Sequence, residues 1–280
     1  MSKLYTLALI FILFSCDSRR IVSNDDTIFV DYDKEQIFDW NNTILIKSVV
    51  SLETADDCVL SYARKCLVSG KYIVYHDEKQ KAIFVFDKKG AFLYMIDAVG
   101  GGPDEYTEIK DIAINCDKEF ILVLDNNSVV SFDLKNGRFQ DRISLPQDIA
   151  SNFYRFANVD KQTFYFWSTE KENSLYLYEN GEMKVIEKRT GFPFVCQKFY
   201  YDSENSLNYI SDYGLFEIHG LEQERVRKKY SFDFGNLNFS KSQIPKSVTG
   251  FEQVDNDESF KCIMSAFETD DDLFIMTVSP

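Results

Sequence analysis

A strand pattern that repeats every 43 to 48 residues constrains the fold of this chain more than any other feature. Short runs rich in Val, Ile, Phe and Tyr alternate with turn residues, and no run keeps a helical period. The corresponding positions Asp77, Asp125, Ser168 and Ser211 lie 48, 43 and 43 residues apart. A period in the forties, with about four strands per unit, is typical of β-propeller blades.

Each of four repeats contains three recognisable antiparallel strands joined as a meander. The predicted strands are 71–77, 82–87 and 91–96; 120–125, 128–133 and 138–145; 163–168, 174–178 and 182–187; and 207–211, 214–219 and 225–232. One blade cannot cover both of its faces, so blades must pack around an axis. The sequence therefore predicts an all-β fold, a β-propeller of four-stranded antiparallel blades.

The number of blades stays open at this stage. A fifth unit begins at residues 260–263 and reaches 273–276, and a further strand is expected at 43–50. Either the segment 27–50 completes the last blade, or this chain is shorter than its relatives. Four blades, part of a fifth and one further strand do not by themselves account for a closed ring.

The first sixteen residues predict export and a lipid anchor. Lys3 precedes the apolar run from Leu4 to Phe14, whose eleven residues are too few for a spanning helix of about 20. The sequence Leu-Phe-Ser-Cys then ends at Cys16 in the pattern of a lipobox. We expect lipidation of Cys16, with ordinary signal cleavage or a retained anchor as the alternatives. More than one acyl chain on that residue would make a durable anchor.

The predicted organisation is a signal peptide at 1–15, a lipidated tether at 16–40 and a propeller domain at 41–280. The expected location is a bacterial cell envelope, with the protein anchored in the outer membrane and facing either the periplasm or the surface.

Three segments resemble a known family. They are Phe84–Gly90, the stretch Gly100 to Tyr106 that reads Gly-Gly-Gly-Pro-Asp-Glu-Tyr, and Ile46–Thr54. The first two look like the blade junction of the six-bladed, NHL-like β-propeller lipoproteins of Bacteroidetes, and the third looks like the segment that precedes the first blade of that family. Together they cover about residues 40 to 115. The resemblance implies an exported lipoprotein, and it supplies no catalytic motif.

The glycine motif also has a reading from its residues alone. Glycines allow positive φ and close backbone approach, Pro103 fixes the exit, and Glu105 and Tyr106 can pin the loop. The favoured role for Gly100, Gly102, Pro103, Glu105 and Tyr106 is structural. The alternative is an anion-holding nest of successive amides. A nucleotide loop is disfavoured, because neither a helix pattern nor Gly-Lys-Ser/Thr follows.

The charge of the chain limits which classes of partner it can bind, and its cysteines indicate few disulfides. The chain carries 45 acidic and 31 basic residues, a net charge of −14, so nucleic acid is not an expected partner. The basic stretches 225–229 and 19–20 are interpreted as solvated. Cysteines beyond Cys16 read mostly as buried core thiols, although Cys58 and Cys66 are a conceivable pair.

No catalytic constellation emerges. His76 and His219 each lie within a strand-like run without a second metal ligand at a recognised spacing, and no Gly-x-Ser-x-Gly elbow exists. No metal site or cofactor is assigned. Calcium is a remaining alternative at the acidic stretches 255–258 and 268–272, which we interpret as solvated loops.

Three function classes follow. The leading hypothesis is a membrane-anchored propeller that binds a ligand or partner protein, with Trp40 or Trp167 as conceivable sugar platforms. The second is a glycan-active hydrolase or lyase, whose paired acids or tyrosine would converge on the axis. The third is a structural component of a larger surface complex. An enzyme is the less favoured class.

Overall fold

Four antiparallel sheets of four strands follow one another along the chain, in a computed structural model that describes residues 27–31, 46, 48–115, 117–238, 244 and 262–277. In each sheet the spatial order of these four strands is their order in the chain. A two-stranded sheet follows the fourth. The alternation of short apolar runs with tight turns produces this succession of meanders.

The strands, in chain order, are β1 (Thr27–Phe29), β2 (Ala63–Ser69), β3 (Tyr72–Asp77), β4 (Ala82–Asp87), β5 (Phe92–Ile96), β6 (Asp111–Ile114), β7 (Phe120–Leu124), β8 (Ser128–Asp133), β9 (Phe139–Ser144), β10 (Phe153–Asn158), β11 (Thr163–Ser168), β12 (Asn173–Glu179), β13 (Glu182–Lys188), β14 (Phe199–Tyr201), β15 (Leu207–Ile210), β16 (Glu217–Glu222), β17 (Arg225–Asp233), β18 (Ile263–Glu268) and β19 (Leu273–Thr277). One helical turn, α1 (Gln147–Ala150), and one 3₁₀ turn (Gly235–Leu237) accompany them.

We name the sheets by their strands. Blade 1 is β2–β5, blade 2 is β6–β9, blade 3 is β10–β13, blade 4 is β14–β17, and the fifth sheet is β18–β19. The first strand of each sheet lies beside the first strand of the next, since β2 contacts β6, β6 contacts β10, β10 contacts β14 and β14 contacts β18. These five strands therefore lie side by side in chain order and are called the inner strands below.

The core consists of apolar layers between neighbouring blades. Ile83 of blade 1 packs in one cluster with Val123 of blade 2. Leu124 of blade 2 packs with Phe166 of blade 3. The same arrangement continues between blades 3 and 4 and between blade 4 and the fifth sheet. Full burial of one such side chain stabilises the fold by about 1.5–3 kcal/mol, so each blade depends on its neighbours.

The predicted fold class is confirmed. Eleven of the twelve strands expected in the four repeats are present with ends shifted by one residue at most, and the fifth unit forms β18 and β19. The strand expected at 214–219 lies three residues later, as β16 (Glu217–Glu222). The inner strands β2, β6, β10 and β14 were not located in advance. The described residues form four complete blades and a two-stranded fifth sheet, so they do not show the six blades that the family resemblance implies.

The segment near the N-terminus behaves differently from the expectation. β1, which lies within the predicted tether, pairs in parallel with β17 and so adds a fifth strand to the outer edge of blade 4. Of the strand expected at 43–50, residues 46 and 48–50 are described, and they lie outside any strand. Residues 51–53 instead dock on blade 1, where the Glu53 amide donates to Gly90 O at 2.7 Å.

Other expectations were tested by burial. Trp167 is fully buried between blades 3 and 4, so its expected role as a sugar platform is wrong, because no face of the ring is open to a ligand. Trp40 lies outside the described residues. Cys58 and Cys66 are both free thiols, and Cys58, Cys196 and Cys262 are buried. Among the described helices, none has the length and apolar character needed to cross a membrane.

Candidate functional site

A central cavity lies among the inner strands. Its volume is about 910 Å³, and residues of β2, β6, β10 and β14 contribute to its wall. Apolar side chains such as Leu67, Phe156 and Leu207 line part of it. Ligand cavities commonly have volumes of about 300–1,000 Å³ and combine apolar walls with a few polar groups. We therefore take this cavity as the candidate binding site.

Asp111 is the carboxylate at the centre of the cavity wall. Lys65 on the neighbouring blade donates to Asp111 Oδ1 at 2.7 Å, and the Phe156 amide on β10 donates to Oδ2 at 3.3 Å. The side chain of Asp111 is 3% exposed, whereas that of Lys65 is 36% exposed. Asp111 thus joins the inner strands of blades 1, 2 and 3 and fixes the position of the Lys65 ammonium.

Two further cations line the cavity. Lys110 Nζ donates to Ser151 O at 2.6 Å and lies 5.0 Å from the centre of the Tyr154 ring. Arg155 donates from Nε to Cys196 O at 3.0 Å and from Nη1 to Tyr154 O at 2.7 Å. The contacts to Ser151, to the Tyr154 ring and to Cys196 run between successive blades, and the bond to Tyr154 O lies within β10, so both side chains are held in place by the groups around them.

His76 is buried behind Lys65 and also contributes to the cavity wall. Its burial, opposed by the nearby carboxylates of Asp111 and Glu78, lowers its pKa to about 4. The ring is therefore neutral at neutral pH. His76 is thus a packed side chain of β3 that adds no charge to the cavity.

A second polar cluster clamps blade 3 to blade 4. Asp212 accepts from Trp167 Nε1 at 2.7 Å, from Lys198 Nζ at 3.2 Å and from Arg189. Lys198 also lies 4.7 Å from the centre of the Trp167 ring. The side chains of Asp212, Arg189 and Lys198 are all at least nine-tenths buried. This cluster orders the wall of the cavity rather than offering free donors to it.

Aspartates at the ends of second strands fix the loops that lead to the inner strands. Asp77 accepts from the Tyr62 amide at 2.8 Å, and Asp125 accepts from the amides of Thr107 and Glu108 at 3.1 and 3.0 Å. These are two of the repeat positions from which the period was counted. The other two counted positions are serines, and their hydroxyls accept from the amides of Glu170 and Glu217 at 2.9 and 3.1 Å, so all four positions fix the backbone after a second strand or before an inner one.

The glycine motif lies in the connection from blade 1 to blade 2 and does not line the central cavity. The Gly102 amide donates to Glu105 Oε2 at 2.7 Å, and a Cβ on Gly100 would lie 1.9 Å from the same oxygen. The loop thus surrounds a carboxylate of its own chain. Pro103 O accepts from Arg142 Nε at 3.1 Å, which ties the loop to β9.

Tyr106 closes the same motif. Its ring is fully buried against Phe132, and its hydroxyl donates to Lys81 O at 2.9 Å. Burial raises the pKa of Tyr106 to about 12, so the hydroxyl stays protonated and keeps its donor role.

The remaining predicted sites are only partly within the described residues. Cys16 and the acidic stretch 255–258 lie outside them. The stretch 268–272 forms the turn between β18 and β19, where the Thr269 amide donates to Asp272 O at 2.8 Å. Within the described parts of the chain, no three His, Cys, Asp or Glu side chains are close enough to share a metal ion.

Sequence reasoning missed the cations of the cavity. Lys65, Lys110, Arg155 and Lys198 lie 45, 45 and 43 residues apart, which is the period of the blades. These four residues form no cluster in the sequence that would indicate a binding site. The signal that could have found them is a basic residue recurring once per repeat in the segment before each recognised strand group.

Comparisons with known proteins support the fold. The family model described as "Domain of unknown function (DUF4934)" matches residues 26–278. No curated protein sequence matches the chain. A crystal structure from Bacteroides fragilis, described as that of an exported protein, is 17% identical, covers 91% of this chain and 74% of its own, and superposes with a TM-score of 0.69. At that identity the likeness shows a shared fold.

Two further solved structures are more distant. A member of the DUF4221 family from Bacteroides vulgatus is 11% identical over 66% of this chain and 62% of its own, with a TM-score of 0.47. Virginiamycin B lyase from Staphylococcus aureus is 13% identical over 76% of this chain and 62% of its own, with a TM-score of 0.49.

Proposed function

Because the chain belongs to the DUF4934 family, whose description assigns no activity, we propose its function from its geometry: an exported, lipid-anchored β-propeller that binds a ligand in its central cavity. The observation that carries the proposal is the cavity itself, about 910 Å³ in volume and walled by the inner strands of four blades. Its polar groups are preordered by contacts between blades, which lowers the entropic cost of binding.

Export and anchoring rest on two observations. The signal-like start ends at Cys16 in a lipobox, and the structural relative from B. fragilis is described as exported. We place the protein in the cell envelope, at the outer membrane. Replacing Cys16 by Ser should move the protein from the membrane fraction to the soluble fraction of the host and abolish its labelling with radioactive palmitate. Retention of the label in the Cys16→Ser variant would contradict lipidation at that residue.

The binding role is tested with a variant that fills the cavity. Val159 is a half-exposed residue of the cavity wall, so Val159→Trp can narrow the cavity without disturbing the core. We expect a panel of neutral and acidic oligosaccharides to contain a compound that raises the melting temperature of the full chain saturably, because a ligand of the native state stabilises it. That rise should disappear in Val159→Trp.

Val185 provides the matched control. It has a similar exposure, lies on β13 and does not line the cavity, so Val185→Trp should keep the ligand response. A response that survives Val159→Trp would place the ligand elsewhere on the molecule. No response to any compound would argue against the binding role.

The enzymatic alternative finds limited support in the described lining of the cavity. Hydrolysis of a glycosidic bond by paired acids needs two carboxylates, and Asp111 is the one carboxylate among the described lining residues. That carboxylate is already bound by Lys65 and the Phe156 amide. We therefore favour binding over turnover.

The structural-component alternative has one observation in its favour. Phe267, Phe274 and Met276 of the fifth sheet are 60%, 40% and 57% exposed. Exposed apolar patches often mark protein contacts. If this surface joins a larger complex, Phe267→Ser combined with Phe274→Ser should release the protein from crosslinked envelope complexes of the host while ligand binding stays intact. Unchanged crosslinks would exclude this surface as the contact.

A further inference from the structure

The charge of the central cavity is opposite to that of the whole protein. The chain has a net charge of −14. The described lining of the cavity nevertheless contains six cationic side chains and a single carboxylate, Asp111; the cations are Arg64, Lys65, Lys110, Lys118, Arg155 and Lys198. Low-dielectric walls of one sign focus the field and raise the local concentration of the opposite ion.

Three of these cations have a carboxylate partner. Lys65 is paired with Asp111, Arg64 with Glu78 and Lys198 with Asp212. The other three, Lys110, Lys118 and Arg155, form no ion pair with any described residue. Arg155 and Lys110 are linked directly, since Arg155 Nη1 also donates to Lys110 O at 3.3 Å.

Lys110 and Arg155 are oriented by groups that do not neutralise them. Backbone carbonyls and the Tyr154 ring hold both side chains, and neither supplies a negative charge. Nη2 of Arg155 makes no hydrogen bond to the described residues, so its two N–H groups are available to an acceptor. Burial lowers the pKa of Lys110, although the more distant carboxylates of Glu108 and Asp125 oppose that shift.

We propose that the central cavity binds an organic anion whose carboxylate or phosphate group is held by Arg155 and Lys110, while its body lies against the apolar walls formed by residues such as Leu67 and Phe156. This inference rests on the proposed binding function and names the ligand class. Arg155 can donate two hydrogen bonds from Nη2 to the oxygens of either group, since its Nε and Nη1 are already bonded to backbone carbonyls, and Lys110 adds a second positive charge to the cavity wall.

The test uses matched pairs of probes on the full chain in detergent, at constant ionic strength. One pair is trigalacturonate and its neutral methyl ester, and the other is glucose 6-phosphate and glucose. We expect a saturable rise in melting temperature for an anionic member and none for its neutral partner. The pair that responds distinguishes a carboxylate ligand from a phosphate ligand.

Variants then assign the response to the site. Arg155→Gln should weaken binding of the responding probe at least tenfold, and Lys110→Gln should weaken it to a smaller extent. Arg227→Gln removes an exposed cation of β17 outside the cavity and should change nothing. If Arg155→Gln does not fold, Arg155→Lys keeps the positive charge but lacks the Nη2 donors, and it should still weaken binding severalfold.

The outcomes separate this inference from the proposed function. Equal binding of charged and neutral partners, full binding in the Arg155 and Lys110 variants, or no binding of either anion would overturn the anion site. If a neutral ligand still binds and Val159→Trp still abolishes its binding, the cavity remains a binding site for another class of molecule. If no ligand of any charge binds, both proposals fail together.

Discussion

Gly90 and Gly181 occupy the same place in blades 1 and 3, the turn between the third and fourth strands, and both have φ of +90°. Their surroundings differ. A Cβ on Gly90 would lie 2.0 Å from Ser51 O, whereas a Cβ on Gly181 would meet nothing within 4 Å. The contact at Gly90 is with backbone, which cannot rotate away. Gly181 is therefore needed for the turn alone, whereas Gly90 also leaves room for residues 51–53, which cover blade 1.

This pair gives a controlled prediction at the residue scale. Gly181→Ala should cost about 1–2 kcal/mol of unfolding free energy, the cost of a left-handed L-residue. Gly90→Ala should cost more by about 1–3 kcal/mol, because it also displaces residues 51–53 and breaks the bonds from Glu53 to Gly90 O and from the Phe92 amide to Glu53. Urea unfolding measures both. Equal losses would show that residues 51–53 contribute no stability through this contact.

His76 predicts a pH dependence. The charged groups around it are Asp111, Glu78, Arg64 and Lys65, and burial is the largest influence, lowering its pKa from 6.5 to about 4. Between these values the unfolded chain binds a proton that the folded chain does not. Acidification therefore favours the unfolded state, and the free energy of unfolding should fall as pH drops from 6.5 towards 4.

The measurement is urea unfolding at several pH values in this window, on the wild type and on His76→Gln. Carboxylates titrate in the same range, so the informative quantity is the difference between the two curves. The variant should lose less stability on acidification than the wild type. Parallel curves would mean that His76 is accessible to protons in the folded state.

At the scale of elements, the clamp between blades 3 and 4 depends on one carboxylate. Removing Asp212 leaves Arg189 and Lys198 buried without their counterion. Asp212→Ala should therefore cost about 3–5 kcal/mol, as is found when one partner of a buried ion pair is lost. Fluorescence of Trp167 should change as well, because its Nε1 donates to Asp212.

The control for this prediction is an exposed pair that also joins blades 3 and 4. Lys184 lies 2.5 Å from Glu224, and both side chains are more than one-third exposed. Glu224→Ala should cost at most about 1 kcal/mol. If the two substitutions cost the same, the buried cluster is no more important than a surface contact.

Some strands of each blade could be predicted from the sequence, and others could not. The second and third strands of the blades were predictable, because most of them are buried on both faces and are nearly continuous apolar runs, as in Ala82–Asp87. The outermost strands are partly exposed and contain charged residues, as in Glu182–Lys188, and were located from the turns that precede them. The inner strands of blades 1 to 4 were missed for two reasons. Charged residues that line the cavity interrupt the apolar pattern of β2 and β10, and β6 and β14 are only four and three residues long. β2 has the sequence ARKCLVS, with Arg64 and Lys65 at its start.

The same physics explains why the candidate site was not predicted. The residues that interrupt the apolar pattern of the inner strands, such as Lys65 and Arg155, are those that line the cavity. Each is isolated in the sequence, and only the arrangement of blades brings them together. The signal peptide, lipidation of Cys16 and the tether remain predictions, because they fall outside the described residues or are not tested by them.

On the scale of the whole molecule, the two ends of the blade series differ. The free face of blade 1 is covered, since Leu52, Cys58 and Leu60 pack on Phe84 and Phe86. The fifth sheet instead has two described strands, and three of its large apolar side chains are at least 40% exposed. The fifth sheet should therefore be the least stable part of the described series, because each blade is stabilised by the neighbours that cover its faces.

Hydrogen exchange can measure this difference. Amides of blades 2 and 3, which are covered on both faces, should exchange most slowly, and amides of the fifth sheet should exchange fastest, because a two-stranded sheet is marginal without further support. Ile263→Ala removes a buried contact between the fifth sheet and blade 4, so it should accelerate exchange in β18 and β19 and leave blades 1 and 2 unchanged. Val123→Ala removes a buried contact between blades 1 and 2 and is the matched control. It should accelerate exchange in blades 1 and 2 and leave β18 and β19 unchanged. If either substitution accelerated amide exchange in every blade, the molecule would instead open as one cooperative unit. A contact between blades 1 and 2 would then protect the fifth sheet as well as its own neighbours.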